Sequence, residues 1–140
     1  MKKIFIDTNI FIDIIIQRDS STLSLKEILP YLHHSQIFLS TLSIHIAFYS
    51  LKIKPNSAVY RKIKDISKYI NIVDLSTNIT NLALQNFYLD FEDTLQYYSA
   101  LDQNCDYILT RDIKDFNKLK KQVPSDIQIV DTLSGVQDVK

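Results

Sequence analysis

The alternation between short apolar runs and amphipathic segments limits the possible folds of this chain more than any other feature. Five runs have the length and apolar content of buried β-strands: 3–6, 36–40, 71–75, 107–110 and 127–130. Helical periodicity fills most of the intervals, at 8–16, 22–32, 41–51, 59–69, 76–88 and 91–103. Strands that alternate with helices are joined by right-handed crossovers. We therefore expect a three-layer α/β/α fold, in which helices cover both faces of a central, mostly parallel sheet of about five strands.

The composition is that of a globular protein without disulfides. The 140 residues are expected to form one domain, 1–140, and with 46% hydrophobic residues they can bury a core. The single cysteine excludes an internal disulfide and fits a reducing cytoplasm. The longest stretch without Asp, Glu, Lys or Arg, 28–51, is interrupted by Pro30 and by polar residues at 33–36. We therefore predict no membrane span and a cytoplasmic protein.

The charge balance limits the kinds of partner. The 16 Lys and Arg residues balance 16 Asp and Glu residues, so the chain has no large positive field to attract nucleic acid. A nucleic-acid partner must then be held by a local basic patch or through a metal ion. Basic stretches at 61–68 and 111–121 are candidates for such a patch, although solvated helix faces have a similar composition.

Three acidic residues lie where elements of the predicted sheet begin or end. Asp7 follows the first strand directly, Asp112 comes two residues after Thr110 at the end of the fourth strand, and Asp93 opens the helix before that strand. In parallel α/β sheets, ligands bind in the crevice beyond the carboxyl ends of the strands. One crevice can therefore collect all three carboxylates. A single Asp after a strand is nevertheless more often a helix cap, and Thr8 or Asn9 can also cap the first helix.

Clustered carboxylates need an opposing charge, because they repel each other and lose water in a crevice. Mg²⁺ or Mn²⁺ fits best, since these ions prefer carboxylate and water oxygens. The single cysteine and three histidines argue against zinc. Such an ion lowers the pKa of a bound water and stabilises charge on a phosphoryl group. It also allows an acidic site to meet the anionic backbone of a nucleic acid.

Three segments of the chain resemble the motifs of PIN domains, the ribonucleases that include VapC-type toxins. Residues 5–13, FIDTNIFID, resemble the opening motif, and residues 90–97, DFEDTLQY, resemble the central acidic motif of one bacterial branch. Residues 107–116, YILTRDIKDF, resemble the third motif. The three segments have the order and spacing of the family, and the predicted order of elements fits it over nearly the whole chain. The resemblance implies a PIN-like fold.

The resemblance also implies metal-dependent hydrolysis of RNA phosphodiester bonds. By motif position, Asp7, Asp93 and Asp112 would be the catalytic residues, which hold Mg²⁺ or Mn²⁺ directly or through waters and activate the attacking water. Asn9 and Thr110 would orient these carboxylates by hydrogen bonds.

Three further acidic residues lie near these motifs. Asp115 is a fourth candidate metal ligand, or it caps the short helix that follows it. Glu92 is expected to point away from the site, because residues i and i+1 do not share a helix face. Asp13 lies about two turns after Asp7, so a structural role is expected for it.

The helix after the second strand departs from the family pattern. PIN domains usually carry a glutamate early in this helix, whereas residues 40–49 contain no carboxylate. Ile46, or alternatively His45, takes its place. The missing acid leaves a second function open: a catalytically degenerate PIN-like module that binds RNA or protein.

Several side chains near the motifs are candidates for contact with RNA. Arg111 and Lys114 adjoin the predicted crevice and are expected to bind the phosphate backbone. Tyr97 and Tyr98 follow the central motif and can stack on bases, although core packing is expected for at least one of them.

The leading hypothesis from the sequence is a metal-dependent endoribonuclease that acts as the toxin of a type II toxin–antitoxin pair. The family resemblance implies a homodimer and a small antitoxin partner that inserts a segment into the acidic crevice. A receiver-like signalling domain shares this architecture, but it requires paired acids after the first strand and a lysine after the last. The residues at those positions, 7–8 and 130–131, meet neither requirement.

Overall fold

A five-stranded parallel sheet forms the centre of the protein in a computed structural model that describes residues 1–16, 30 and 34–136. The strands are β1 (Lys2–Ile6), β2 (Ser35–Ser40), β3 (Asn71–Val73), β4 (Tyr107–Leu109) and β5 (Gln128–Val130). They are ordered β3-β2-β1-β4-β5, and each neighbouring pair is parallel. The predicted α/β/α architecture with a parallel sheet is confirmed.

Six α-helices flank the sheet within the described residues. They are α1 (Thr8–Ile16), α2 (Thr41–Ser50), α3 (Ala58–Ile66), α4 (Thr77–Gln85), α5 (Phe91–Asp102) and α6 (Ile113–Gln122), and a short 3₁₀ helix follows at Leu133–Gly135. Five of the six α-helices correspond to predicted segments. The sixth, α6, is longer than the short helix expected after Asp115, and the helix predicted at 22–32 lies outside the described residues apart from residue 30. Among the described residues, no helix combines the length and the apolar character that crossing a bilayer requires.

Two apolar clusters lie on opposite faces of the sheet. Ile4 and Ile6 of β1 belong to one cluster, together with Phe11 of α1, whereas Phe5 lies in the other cluster with Phe116 of α6. This division follows from the strand itself, because successive side chains point to opposite faces. The central strand is therefore buried on both sides, as in a three-layer structure.

The position of β1 determines where a site can form. The chain passes from β1 outward to β2 and β3, and then returns to β4 on the other side of β1. The reversal of strand order between β1 and β4 opens a crevice at their carboxyl ends, which is the usual ligand site of such sheets. The Asp7 backbone N–H donates to the Leu109 carbonyl at 3.0 Å, so the two strand ends are joined where this crevice begins.

Short polar side chains cap the helices that surround the sheet. Ser57 caps α3 by accepting from the Tyr60 N–H at 3.2 Å, directly after the predicted turn at 54–56. In that turn, Asn56 has a φ of 62°, in the left-handed region that asparagine tolerates better than most residues. At α1 the cap lies one residue earlier than expected: the Asp7 carbonyl accepts from the Phe11 N–H, and Thr8 is already helical.

Candidate active site

The carboxylates of Asp7, Asp93 and Asp112 meet at the carboxyl edge of β1 and β4. One carboxylate oxygen of each residue lies within 4.8 Å of those of the other two. Asp7 and Asp93 are buried, and Asp112 is exposed. The structure therefore brings together the three acids that the sequence placed at strand ends and at the start of a helix.

Thr110 connects two of these acids. Its hydroxyl donates to Oδ2 of Asp7 at 2.9 Å and accepts from the Asp112 backbone N–H at 2.9 Å. The other Asp7 oxygen, Oδ1, accepts from the Thr8 N–H at 2.8 Å. Because Thr110 is fully buried, its hydroxyl has little freedom to move. Asp7 is thereby held in one orientation, which is the contact predicted for Thr110.

All three acids lie at helix N-termini. Asp7 precedes α1, Asp112 precedes α6, and Asp93 lies in the first turn of α5. The unpaired N–H groups and the dipoles of these helices favour negative charge there. Although Asp112 occupies the cap position of α6, its side chain forms no capping hydrogen bond. In α5, Asp90 is the cap and accepts from the Asp93 N–H at 2.9 Å, so helix capping explains neither the Asp93 nor the Asp112 carboxylate.

A cavity of about 400 Å³ surrounds the cluster. Its lining residues are Asp7, Thr8, Asn9, Ile12, Ile46, Ser50, Asp90, Glu92, Asp93, Asp112 and Asp115. Six of these side chains carry a carboxyl group, and none of the described lining residues is a lysine, arginine, histidine or cysteine. The cavity therefore concentrates negative charge without an internal counter-charge from the described residues.

This concentration of charge changes the acidity of two buried residues. Burial, followed by the charges of Asp7 and Asp90, raises the pKa of Asp93 from 3.8 to about 8. Burial also raises the pKa of Asp7 to about 6; the charges of Glu92 and Asp112 add to this effect, and hydrogen bonds from Thr110 and Thr8 oppose it. At neutral pH, the metal-free cluster therefore retains a proton.

The donor set fits a hard divalent cation. Three carboxylate oxygens within 4.8 Å of one another match the ligands that Mg²⁺ and Mn²⁺ prefer. The raised pKa values show that the cluster needs either a proton or a cation to balance its charge. The described lining residues include no soft ligand: Cys105 lines another pocket before β4, and burial raises its pKa to about 12.

The structure distinguishes between the two residues considered for the missing glutamate of the second motif. Ile46 lines the cavity, whereas His45 is exposed on α2 and does not line it. The α2 wall of the cavity is therefore formed by Ile46 and Ser50, and it contributes no carboxylate.

The expectation that Glu92 points away from the site is wrong. Glu92 lines the same cavity as Asp93, and Asp90, which the sequence did not single out, lines it too. The rule about helix faces applies along the side of a helix, but α5 approaches the cavity with its first turn. Because Cα–Cβ bonds tilt toward the helix N-terminus, several side chains of that turn can reach one cavity.

Two other predicted site residues also line the cavity. Asn9, in the first turn of α1, is half-buried there. Asp115 is the third residue of α6, and Asp112 occupies the cap position of that helix. The proposed capping role of Asp115 is therefore not observed, and its carboxylate remains a candidate ligand at the cavity wall.

The two basic residues that were expected to bind RNA have different surroundings. Arg111 Nε lies 3.6 Å from Oδ2 of Asp13, whose side chain is fully buried. Arg111 thus balances a buried charge behind the site, and the structural role expected for Asp13 agrees with this contact. Lys114 is exposed in the first turn of α6, outside the cavity lining, and its contact with RNA stays a prediction.

A hydrogen-bond network beneath the site was not evident from the sequence. Gln96 Nε2 donates to Thr8 Oγ1 at 2.8 Å and to Ser43 Oγ at 2.9 Å, and these two hydroxyl groups are 2.7 Å apart. All three side chains are buried, and they connect α5, α1 and α2. The network joins the helices that form three walls of the cavity. Because Gln96 lies 88 residues from Thr8, no local pattern identifies the contact.

The two tyrosines of the central segment are parts of the core. Tyr97 is fully buried, and its hydroxyl donates to the Val123 carbonyl, while Tyr98 is only 8% exposed. The expectation that at least one packs in the core is confirmed. Stacking of either ring on an RNA base is not supported by this degree of burial.

Comparison with known proteins identifies one family. Residues 3–114 match the family described as PIN domain. No curated protein matches the chain. A solved structure with a similar fold is VapBC2 from Rickettsia felis bound to a DNA fragment from their promoter: the TM-score is 0.66, the identity is 18%, and the match covers 91% of this chain and 96% of that chain. At this identity the likeness concerns the fold.

Proposed function

The chain belongs to the PIN-domain family, whose members are generally nucleases, and we propose that it is a metal-dependent endoribonuclease that hydrolyses RNA phosphodiester bonds. The observation that carries the proposal is the cavity at the carboxyl edge of the sheet, with six carboxyl groups and no basic side chain among its described lining residues. Such a site repels the RNA backbone unless a cation lies between them. The site therefore favours metal-dependent chemistry on an anionic polymer.

Asp7, Asp93 and Asp112 would hold Mg²⁺ or Mn²⁺, and Asp115, which lines the same cavity, would assist them. A divalent ion at this site supplies positive charge that stabilises the negative charge developing on a phosphoryl oxygen. Thr110 keeps Asp7 oriented toward the cluster by its 2.9 Å hydrogen bond. In the metal-bound protein, these carboxylates would hold the ion in place of the proton that the metal-free cluster retains.

The carboxylates also provide a place for the proton of the attacking water. In the proposed reaction, a water oxygen forms a bond to phosphorus, the bond from phosphorus to the leaving ribose oxygen breaks, and that oxygen takes up a proton from solvent water. A cluster carboxylate, Asp93 or Asp112, accepts the proton of that water. Asp112 is exposed and free of capping contacts, so its oxygens are accessible to a substrate at the mouth of the cavity.

Backbone contacts with RNA are assigned to the N-terminal part of α6. Lys114 is exposed there and lies two residues after Asp112, so it can neutralise a phosphate near the cavity. Arg111 has a side chain that is 30% exposed even though it lies beside Asp13. We assign it a secondary contact with RNA at the same edge.

The similarity of the fold to a chain of a VapBC complex supports the more specific role of a toxin in a type II toxin–antitoxin pair. In this role, a small antitoxin would insert a basic side chain into the acidic cavity, where no described lining residue supplies positive charge.

We also propose that the protein forms a homodimer. The free thiol of Cys105 fits the reducing cytoplasm in which we place this activity.

One observation favours a second function. Ile46 lines the cavity on the α2 side, and a site that lacks a carboxylate there can bind RNA or protein without cleaving it. The two functions differ in their response to metal, since only the nuclease needs the ion for turnover.

RNA cleavage by purified protein, freed of any co-purifying partner, tests the proposal. The assay compares Mn²⁺ with EDTA and wild type with Asp93→Asn. Asp102→Asn is the matched control, because Asp102 is an exposed aspartate at the other end of α5. We expect cleavage by wild type and the control only with Mn²⁺, and at least a hundredfold loss in Asp93→Asn. Binding of RNA by folded wild-type protein without any cleavage would overturn the nuclease assignment and favour the binding module.

A further inference from the structure

We infer that Glu92 is an additional metal-binding residue of this site and supplies, from α5, the carboxylate that α2 does not provide. The inference rests on the proposed function, because it names a further residue for the same cation. It starts from the cavity itself: Glu92 and Ile46 both belong to its wall, and the side chain of Ile46 has no oxygen to offer an ion.

The surroundings of Glu92 distinguish it from the neighbouring acids. Asp90 is occupied as the helix cap, and Asp7 accepts two hydrogen bonds. Glu92 is half-buried, and no described residue forms a hydrogen bond or an ion pair with its side chain. A half-buried carboxylate among five other acids is unfavourable without a partner. A cation in the cavity would provide that partner.

Glu92 shares the wall of the cavity with the three aspartates of the cluster. As the second residue of α5, Glu92 reaches inward from the first turn, and its side chain is one methylene longer than that of aspartate.

The α2 wall explains why an additional ligand is useful. The ten residues of α2, Thr41–Ser50, contain no Asp or Glu, and two of them line the cavity. Divalent ions such as Mg²⁺ take about six oxygen ligands, of which a few come from protein carboxylates and the rest from water or substrate. A carboxylate from α5 therefore adds charge and a ligand to a site that receives none from α2.

Calorimetric titration of the full chain with Mn²⁺ tests the inference by a readout that does not depend on turnover. Wild type is compared with Glu92→Gln, and Asp102→Asn on the same helix is the control. We expect the Mn²⁺ dissociation constant to rise about tenfold in Glu92→Gln and to stay within twofold in the control. Adding Ile46→Glu to Glu92→Gln is expected to restore affinity to within about threefold of wild type, because the new carboxylate enters the same cavity.

The salt dependence separates binding of the ion from a general effect of charge. At 1 M salt the screening length is about 3 Å, so the loss in Glu92→Gln should persist there only if Glu92 binds the ion or its water. A loss that disappears at 1 M salt would overturn the inference, as would equal Mn²⁺ affinity of Glu92→Gln and wild type. Both results leave the proposed function standing. If folded wild type does not bind Mn²⁺, the proposed function itself fails.

Discussion

Replacement of Asp93 by asparagine is expected to make the metal-free protein more stable at alkaline pH. The side chain is 8% exposed, and burial together with the charge of Asp7 raises its pKa from 3.8 to about 8. In the unfolded chain the same carboxyl group ionises at its ordinary pKa. The folded state therefore loses stability relative to the unfolded state as the pH rises from about 4 through about 8. Asparagine removes this loss because it does not ionise.

The size of the effect follows from the change in pKa. The difference between 3.8 and about 8 is about 4 units, which corresponds to about 5 kcal/mol at 1.36 kcal/mol per unit. This figure is an upper bound, because water and small movements of the acids screen their repulsion. Loss of a favourable charge at the α5 N-terminus offsets roughly 0.5 kcal/mol. If screening halves the upper bound, subtracting this offset leaves an expected net gain of about 2 kcal/mol at pH 9, and almost none at pH 4.

Urea denaturation in EDTA at pH 4, 7 and 9 measures this effect, with Asp102→Asn as the exposed control on the same helix. Wild type and the control should lose stability between pH 4 and pH 9, and Asp93→Asn should lose less. The dependence that remains in Asp93→Asn comes in part from Asp7, whose pKa is raised to about 6. If Asp93→Asn and wild type lose stability in parallel over this range, Asp93 does not carry the raised pKa and the reasoning is wrong.

Three further predictions concern the ion and the contacts behind the site. Mn²⁺ affinity should rise at least tenfold between pH 5.5 and pH 7.5, because the ion displaces protons from carboxyl groups with raised pKa values; calorimetry in buffers of different ionisation enthalpy measures the protons released. Arg111→Ala should cost about 3 kcal/mol in urea denaturation, since it removes an ion-pair partner of the fully buried Asp13. Thr110→Val should cost about 1–2 kcal/mol, weaken Mn²⁺ binding and reduce cleavage, because Asp7 loses a donor and the Asp112 N–H loses an acceptor.

Each of these predictions has a control. Mn²⁺ affinity that does not change with pH would contradict proton displacement. Arg61→Ala removes an exposed arginine that donates to the Asn56 carbonyl, and it should cost less than about 0.5 kcal/mol; a similar cost in Arg111→Ala would show that the pair with Asp13 contributes little. Thr110→Ser keeps the hydroxyl and should retain most of the Mn²⁺ affinity, whereas equal losses in both Thr110 variants would point to packing.

Local patterns were sufficient to predict most of the secondary structure. Each of the five strands was found within about two residues of its observed bounds, because short apolar runs that end at charged or turn residues indicate strands. This holds for the buried strands β1, β2 and β4 and also for β3 and β5, which are partly exposed. The length of helix α6 was underestimated. Its segment is rich in lysine, and only Phe116 and Leu119 are buried, so the apolar stripe that predicts a helix is narrow there.

The acidic cluster was predictable for a similar reason. Asp7, Asp93 and Asp112 each lie next to the end of a strand or the start of a helix, and the rule for parallel sheets places such positions at one edge. Glu92 was wrongly predicted to point away from the site, because the direction of its side chain depends on the angle at which α5 meets the cavity. That angle is set by packing of α5 against the sheet and is not encoded in residue spacing.

Residue order along the chain therefore specified the elements, their parallel arrangement and the three aspartates, since these depend on patterns that extend over a few residues. Tertiary packing determined the rest. It brings Glu92 to the cavity wall. It also places Arg111 beside Asp13 and lets Gln96 bridge α1 and α2. The contacts of Arg111 and Gln96 join residues that are 53 to 98 positions apart. Their formation depends on where several elements lie at the same time, and periodicity within one element contains no information about that.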